Sequence, residues 1–191
     1  MVIGITGGTG AGKTTLLNQI RQRGGLVMDC DRIYHELLAA DQQMLSAIAD
    51  RFPGTVEAGK LDRKKLGAIV FADEGALADL NSITHSAVDR EVRRLLGEYG
   101  GELAAVDAIA LIESGMAALC DVTVAVCAPE EQRIQRLMAR EGISAEYARS
   151  RIRAQKGEEF FREHCKYVLI NDGTLEAFEE KCRAFLSEIL D

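Results

Sequence analysis

Hydrophobic residues along the chain follow two spacings that alternate from one end to the other. Short unbroken apolar runs are typical of strands buried on both faces, and they predict strands over residues 2–5, 26–28, 104–112, 122–127 and 167–170. Between these runs, apolar residues recur every three or four positions, as in amphipathic helices. Strands that alternate with helices predict an α/β fold with a central parallel sheet.

The helical spacing predicts a core, an insertion and a lid. Helices are expected over residues 14–23, 32–40, 42–51, 61–72, 76–99, 130–140, 145–156 and 175–190, with Pro129 in a first turn and Ser144 as an N-cap. No strand is expected over 61–99, and one stripe of the helix over 76–99 carries Leu77, Leu80, Ile83, Thr84, Ala87 and Val88. We therefore expect a helical insertion over about 33–99 that covers the nucleotide site. The core is expected over about 1–32, 100–135 and 165–191, and the lid over about 136–164.

The stretch from Gly7 to Thr14, GGTGAGKT, follows the first strand and matches G-x-x-x-x-G-K-[ST], the phosphate-binding loop. Its glycines let the backbone turn tightly and bring N–H groups close to phosphate oxygens. Lys13 is expected to contact the terminal phosphates of a nucleoside triphosphate, and the Thr14 hydroxyl to bind the accompanying Mg²⁺. The loop leads into a helix whose N-terminus faces the anion, so we predict nucleoside triphosphate binding.

Charge is distributed unevenly along the chain. The net charge of −7 at pH 7 argues against nucleic acid as the main partner. Residues 133–166 nevertheless carry nine Lys or Arg against five Glu, which gives this segment +4 and the rest of the chain −11. A basic segment in an acidic protein fits a small polyanionic ligand better than a long polymer.

Composition indicates the class of protein and its expected compartment. With 191 residues, 47% of them hydrophobic, the chain can form one domain with a modest insertion and a sizeable core. No apolar run approaches about 20 residues and the N-terminus lacks signal-peptide features, so we expect neither a membrane span nor export. Five cysteines, an odd number without C-x-x-C spacing, favour free thiols in the cytoplasm.

Carboxylates follow two of the predicted strands, at the sheet edge where α/β proteins bind their ligands. Asp31 follows the second strand and can accept the proton of an attacking hydroxyl, as phosphoryl transfer requires. Asp29 shares its face if the strand continues, and either residue can instead cap the helix that begins at Arg32. Glu113 is expected to end the third strand, where an acidic group meets the metal or its waters, unless it is an N-cap or a surface carboxylate.

Several polar side chains elsewhere are further candidates. Arg136 and Arg140 lie four residues apart on one helix face, where they can close over a nucleotide and supply guanidinium groups to the phosphoryl. Asn171 follows the last strand, and its amide either reaches an adenine edge or forms a turn. His85 lies among apolar helical positions, which favours a packed side chain. The other lid arginines, Arg149, Arg151 and Arg153, are interpreted individually as a solvated surface.

In combination, these residues resemble the dephospho-coenzyme A kinase family, the last enzymes of coenzyme A synthesis. The likeness runs from residue 3 to about residue 173, and beyond the generic phosphate loop it depends on more specific stretches. These are Val27-Met28-Asp29-Cys30-Asp31, Leu61-Asp62-Arg63 with Leu66 and Phe71, Ile83-Thr84-His85, Leu111-Ile112-Glu113, Pro129-Glu130-Glu131-Gln132 with Arg136 and Arg140, Arg151-Ile152 with Gln155, and Ile170-Asn171.

The resemblance implies a three-layer α/β/α P-loop NTPase fold with a helical acceptor-binding insertion and a helical lid. Asp31, Lys13 and Arg140 are then the catalytic residues, and Asp31 takes the proton of the ribose 3′-hydroxyl. It implies ATP binding by Gly8, Gly10, Ala11, Gly12, Lys13, Thr14, Thr15, Arg136 and Asn171, with Mg²⁺ on Thr14. It implies acceptor binding by Asp31, Asp62, Arg63, His85 and Glu113.

Three short stretches depart from the family pattern. Ser86 replaces a usual proline after the histidine, and Ile109-Ala110-Leu111 stands where the family usually has Pro-Leu-Leu before the strand-end acid. Cys165-Lys166 replaces a usual Ala-Asp before the last strand. None of these changes removes a group that the chemistry needs.

The hypothesis from the sequence is an ATP-dependent kinase that phosphorylates the 3′-hydroxyl of dephospho-CoA. A kinase for a nucleoside, a nucleotide or another small metabolite is the nearest alternative, because it shares the loop and the lid. A nucleotide-dependent switch is the alternative from another class. A GTPase switch needs D-x-x-G and N-K-x-D motifs, and neither occurs in the chain.

Overall fold

The computed structural model describes residues 1–190, which form strands and helices in alternation. The strands are β1 (Val2–Thr6), β2 (Leu26–Asp29), β3 (Val56–Glu57), β4 (Lys60–Leu61), β5 (Ala104–Asp107), β6 (Val122–Cys127) and β7 (Tyr167–Ile170). The α-helices are α1 (Lys13–Gln22), α2 (Cys30–Ala40), α3 (Gln42–Arg51), α4 (Arg63–Val70), α5 (Glu74–Glu98), α6 (Glu130–Glu141), α7 (Ala145–Arg153), α8 (Glu158–His164) and α9 (Leu175–Leu190).

Two compact units divide the described chain. The core unit contains residues 1–28 and the described residues from 101 onward, and the insertion unit is Asp29–Gly100. Within residues 1–190, no helix is both long and apolar enough to cross a membrane. The five cysteines are all free thiols.

A five-stranded sheet in the order β2-β5-β1-β6-β7 organises the core unit. β1 pairs in parallel with β5 on one side and with β6 on the other, and β6 pairs in parallel with β7. Ile3 and Ile5 of β1 are fully buried, and their core cluster includes Leu16 and Ile20 of α1 and Phe178 of α9. Burial on both faces explains the unbroken apolar runs, and it confirms the predicted parallel α/β fold.

β5 ends five residues earlier than the sequence predicts. The predicted strand over 104–112 is wrong beyond Asp107, because the chain leaves the ladder and folds into successive turns. Ser114 N–H donates to the Ala110 carbonyl at 2.9 Å, and Leu111 is buried completely. A buried turn has the same continuous apolar character as a buried strand, so the pattern alone does not separate them. Glu113 therefore lies in a turn and does not end a strand.

Gly4 gives the turn segment room to pack against β1. A Cβ at Gly4 would lie 2.8 Å from both Leu111 Cδ2 and Cys120 Sγ. Real carbon contacts are near 3.5–4.0 Å, so neither side chain could keep its place beside a larger residue. The glycine in the middle of this buried strand is thus a packing requirement.

The insertion unit has its own apolar core beneath four helices. Met44, Ile48 and Phe52 are buried in it, together with Leu66 and Val70 of α4. A short antiparallel hairpin, β3 with β4, pairs Val56 with Leu61, so the prediction that no strand touches residues 61–99 is wrong at Leu61. The stripe predicted on α5 is buried at Thr84, Ala87 and Val88, but Leu77 is 36% exposed near the helix start.

The segment between β6 and β7 contains three helices where two were predicted. Ser144 caps α7, as predicted, by accepting from Tyr147 N–H at 3.2 Å, whereas Pro129 is the N-cap of α6 and does not lie in its first turn. α7 ends at Arg153, short of the predicted end near residue 156. The short, charged α8 has little periodic signal. It is anchored by Phe161, which packs with Cys127 and Cys165 in a separate apolar cluster.

Replacement of Gly4 by alanine tests the packing of the turn segment. Gly4→Ala is expected to lower the free energy of unfolding by about 1–3 kcal/mol, because overpacking displaces Leu111 or Cys120. Gly173→Ala is the matched control, since its Cβ would make only an ordinary 3.6 Å contact with Ala177. Urea unfolding measures both variants. A Gly4→Ala protein as stable as the control would contradict this account of the packing.

Candidate active site

The phosphate-binding loop connects β1 to α1, and its end forms the N-terminus of that helix. Gly12 is the N-cap with φ 106°, a left-handed conformation that strongly favours glycine. Among the described residues, no side chain caps α1. The amides that open the helix, at Lys13 and Thr14, are therefore available to an anion, and the helix dipole favours negative charge there.

The Lys13 side chain folds back over the loop. Its Nζ donates to the Gly7 carbonyl at 2.9 Å, which places the ammonium beside the first residues of the loop. The lysine of this motif is expected to reach the β- and γ-phosphates of a bound nucleotide. We therefore expect the terminal phosphate on the side of the loop formed by Gly7 to Gly10.

Side chains from outside the loop donate hydrogen bonds to three loop carbonyls, those of Gly10, Ala11 and Thr9. Arg136 of α6 donates to the Gly10 carbonyl at 3.2 Å and to the Ala11 carbonyl at 3.4 Å. Asn171, after β7, donates to the Ala11 carbonyl at 2.9 Å and accepts from Arg136 at 3.3 Å. Asn171 is only 6% exposed, so its amide supports the loop in this structure. A contact of Asn171 with adenine stays a prediction.

Thr9 is the third of these loop residues, and side chains from α6 and from the segment after α7 bind both of its backbone groups. Arg133 Nε donates to the Thr9 carbonyl at 2.9 Å, and Thr9 N–H donates to Gln155 Oε1 at 2.9 Å. Arg133 Nη2 also donates to Gln155 Oε1 at 2.9 Å, which closes the network. Burial lowers the pKa of Arg133 from its ordinary value, but a guanidinium keeps its proton at neutral pH. Arg133 could not be predicted as a site residue, because nothing in the sequence of a basic helix marks one arginine as inward-facing.

A cavity of about 340 Å³ lies beside the loop within the core unit. It is lined by Gly8, Ile109, Glu113, Ala154, Gln155, Lys156 and Phe161. Glu113 and Lys156 give the cavity charges of both signs. Cys165 lies close enough to Glu113 to be affected by its charge: burial, and then the charge of Glu113, raise the pKa of the Cys165 thiol to about 11. The cavity places Glu113 near the loop even though it does not end a strand.

Arg140 lies one turn beyond Arg136 but does not contact the loop. It pairs with Glu141 at 2.5 Å, and Arg151 contacts the same carboxylate. Hydrogen bonds from Arg140 and then Arg151 hold the pKa of Glu141 below its ordinary value. The catalytic role of Arg140 therefore stays a prediction that requires the side chain to leave Glu141.

The predicted residues of the insertion unit include two helix caps. Asp29 caps α2 by accepting from Arg32 N–H at 3.0 Å, and Asp62 caps α4 by accepting from two amides at 3.0 Å. Asp31 is exposed in the first turn of α2. Arg63 begins α4, and His85 is half-buried on α5.

Tyr34 lies close to two of the acceptor candidates, Asp31 and Arg63. It follows Asp31 by about one turn on α2, and burial raises its pKa while the nearby Arg63 charge opposes that shift. Residues 31, 34 and 63 therefore lie on neighbouring parts of the insertion unit, although Tyr34 had no sequence signal of its own.

Asp107 is an acidic residue that sequence analysis missed. It ends β5 and lies opposite Ile5 of β1, two residues before the phosphate loop begins. An acid at this strand end is where P-loop enzymes bind Mg²⁺ or its waters. The signal was present in the sequence, since an acid directly follows Ala104-Ala105-Val106, but the strand was extended past it.

Comparison with known proteins identifies relatives along nearly the whole chain. The dephospho-CoA kinase family profile matches residues 1–177. A dephospho-CoA kinase from Carboxydothermus hydrogenoformans is 35% identical, over 98% of this chain and 93% of its own length. A crystal structure from Thermus thermophilus superposes with TM-score 0.80 at 35% identity, covering 98% of this chain and 97% of that one. A shikimate kinase from Bacteroides thetaiotaomicron shares the fold, with TM-score 0.57 at 17% identity and 98% coverage of each chain.

The strand order, the phosphate loop and a lid whose arginines bind that loop define a P-loop kinase. The relatives identify the branch, and the chain belongs to the dephospho-CoA kinase family. This confirms the resemblance found in the sequence. The family's activity is ATP-dependent phosphorylation of dephospho-CoA in CoA biosynthesis.

Asn171→Ala tests the support of the loop carbonyls. The change removes the 2.9 Å hydrogen bond to the buried Ala11 carbonyl and one acceptor of Arg136, so the free energy of unfolding should fall by about 1–3 kcal/mol. ADP affinity should fall with it, because the loop loses its shape. Thermal unfolding and ADP titration measure the two effects. Asp172→Asn, at the exposed neighbouring position, should change neither, and equal effects of the two variants would contradict the account.

Proposed function

We propose that this chain transfers the γ-phosphoryl group of ATP to the ribose 3′-hydroxyl of dephospho-CoA, giving CoA and ADP. The observation that carries the proposal is the family match over residues 1–177, which spans the phosphate loop, the insertion unit and the lid together. The geometry of the loop supports it, because an uncapped helix N-terminus and Lys13 are arranged for a nucleotide's phosphates.

The loop and the lid supply positive charge to the transferring group. The amides at the start of α1 bind the α- and β-phosphates, and Lys13 binds the β- and γ-phosphates. Arg136, already on the loop, adds a fixed guanidinium beside them, and Arg140 reaches the phosphoryl when it leaves Glu141. The Thr14 hydroxyl and the Asp107 carboxylate are hard oxygen donors, which suit Mg²⁺. The bound ion would neutralise charge on the β- and γ-phosphate oxygens.

Asp31 is the proposed general base. Its carboxylate takes the proton of the 3′-hydroxyl as the oxygen attacks the γ-phosphorus and ADP leaves. The side chain is exposed in the first turn of α2, two residues after β2 ends, and the helix is capped by Asp29, which accepts from Arg32 N–H. Asp31 is therefore the carboxylate at this sheet edge that does not cap the helix.

The remaining acceptor candidates would bind dephospho-CoA, the long acceptor substrate. Arg63 and His85 of the insertion unit would bind its diphosphate and nucleoside, with Asp62 fixing the start of the helix that carries Arg63. Glu113 lines the cavity beside the loop. The cytoplasmic location and the absence of nucleic acid and membrane partners stay predictions from composition.

An acceptor panel tests the proposed reaction. ADP release is measured with dephospho-CoA and with a set of nucleosides, nucleoside monophosphates and shikimate, each at the same concentration. Rapid release with dephospho-CoA alone is expected. Turnover with a nucleoside or nucleotide would keep the kinase fold but overturn the acceptor. Tight ATP binding without turnover on any acceptor would favour the nucleotide switch.

Substitution of Asp31 tests the base. Asp31→Asn should lower kcat by about 10²–10⁴-fold while ATP affinity is kept, because only proton transfer is lost. Glu36→Gln is the control, since Glu36 is an exposed acid on the same helix that only pairs with Arg32 at 3.7 Å. Full activity of Asp31→Asn would show that the base is another group.

A further inference from the structure

We propose that Arg133 and Gln155 are positioning residues that clamp Thr9 and so fix the γ-phosphate side of the loop. We further infer that this clamp, and not the phosphate motif, requires glycine at position 8. The inference rests on the proposed function only for the assay substrate, because the clamp itself concerns nucleotide binding.

The clamp binds both backbone groups of one loop residue. Thr9 donates to Gln155 and accepts from Arg133, and these two side chains hydrogen-bond to each other, all at 2.9 Å. Thr9 is buried, so a lost partner would leave a peptide group unsatisfied. Two of the three bonds are donated by the Arg133 guanidinium, and such charge-assisted bonds are roughly twice as strong as neutral ones.

The two clamping side chains come from the start and from the end of the helical hairpin that α6 and α7 form. Arg133 lies in the second turn of α6, and Gln155 follows the C-terminal end of α7 by two residues. The hairpin has its own core, formed by Ile134, Leu137, Ala148 and Ile152. Because the hairpin is packed internally and fastened at both ends to Thr9, its placement and the loop conformation depend on each other.

Gly8 shows that the clamp constrains the sequence. A Cβ at Gly8 would lie 2.1 Å from Arg133 Nη2 and 3.0 Å from Gln155 Oε1. The backbone of Gly8 is outside the left-handed region, so its φ does not require glycine. The position is also unrestricted in G-x-x-x-x-G-K-[ST]. Steric contact with the clamp is what excludes a side chain there.

The clamp lies at the end of the loop that meets the phosphoryl being transferred. Thr9 follows two residues after Gly7, whose carbonyl accepts from the Lys13 ammonium, whereas the amides expected to bind the α- and β-phosphates lie at the start of α1. Loss of the clamp should therefore disturb the γ-phosphate and leave ADP binding nearly intact. A small misplacement of a reacting group lowers rate strongly, so the effect belongs mainly to kcat.

Gly8→Ala, Arg133→Ala and the double variant form a cycle that tests the clamp. The methyl group of Gly8→Ala meets only the flexible ends of two side chains, Arg133 most closely and then Gln155, so the fold should survive while the guanidinium moves away. Each single variant should lose about tenfold in kcat, and the double variant also about tenfold, because both break the same contact. A loss of about a hundredfold in the double variant would mean independent effects and would overturn the clamp.

Two further variants separate positioning from general destabilisation. Gln155→Leu removes the acceptor at similar size and should behave like Arg133→Ala. Arg149→Ala is the control, because this lid arginine contacts only Glu130 and Glu131 on the surface, and its kcat should be unchanged. If Gln155→Leu lowers the melting temperature but keeps kcat, the contact has only a structural role, and the proposal is overturned.

Nucleotide affinities test the clamp without any acceptor. Dissociation constants are measured for ADP and for the β,γ-imido analogue of ATP in each variant. The clamp predicts weaker binding of the analogue with ADP affinity kept within about threefold, since only the γ-phosphate side changes. Equal loss for both nucleotides would overturn the proposal. If dephospho-CoA is not phosphorylated by the unaltered protein, the proposed function fails, and these affinities still decide the clamp.

Discussion

A phosphate-binding loop must direct its N–H groups at the anion, so its carbonyls face outward and need partners of their own. In this protein those partners are Arg133, Arg136 and Asn171, which bind the carbonyls of Thr9, Gly10 and Ala11. Two of the three come from α6 and one from the end of β7. The loop therefore keeps its shape through charge-assisted bonds from α6 and a neutral amide bond from Asn171. The same guanidinium groups would add positive charge beside the phosphates of a bound nucleotide.

Strands and helices could be predicted from the sequence where the hydrophobic pattern has clear ends. β6, β7, α3 and α9 match their predicted ranges residue for residue, because each is a clear apolar run or helical stripe between turn residues. The strand over 104–112 was overextended, since Leu111 is buried in a turn as deeply as a strand residue. That error hid Asp107 and misplaced Glu113. Periodicity reports burial, and it does not report which backbone conformation achieves it.

The candidate site was predictable where a motif fixes chemistry, and less so where tertiary contacts do. Lys13 and the loop glycines follow from the motif, whereas Arg133 and Arg140 are indistinguishable in a basic helix and only the fold directs one to Thr9 and the other to Glu141. Among the departures from the family pattern, Ser86 lies inside α5, which continues unbroken from Glu74 to Glu98. The Ile109 carbonyl accepts from Thr6 Oγ1 at 3.0 Å, which anchors the turn without the family's proline.

We infer that side chains from α6 and from the segment after α7 hold the loop in its binding shape before nucleotide arrives. The hydrogen exchange rate of the Thr9 amide, measured by NMR on the nucleotide-free protein, tests this inference. We expect slow exchange in the unaltered protein and exchange faster by about a hundredfold in Gln155→Leu, where the acceptor is gone. Equally fast exchange of this amide in both proteins would contradict the claim, because Thr9 would then be unheld without nucleotide.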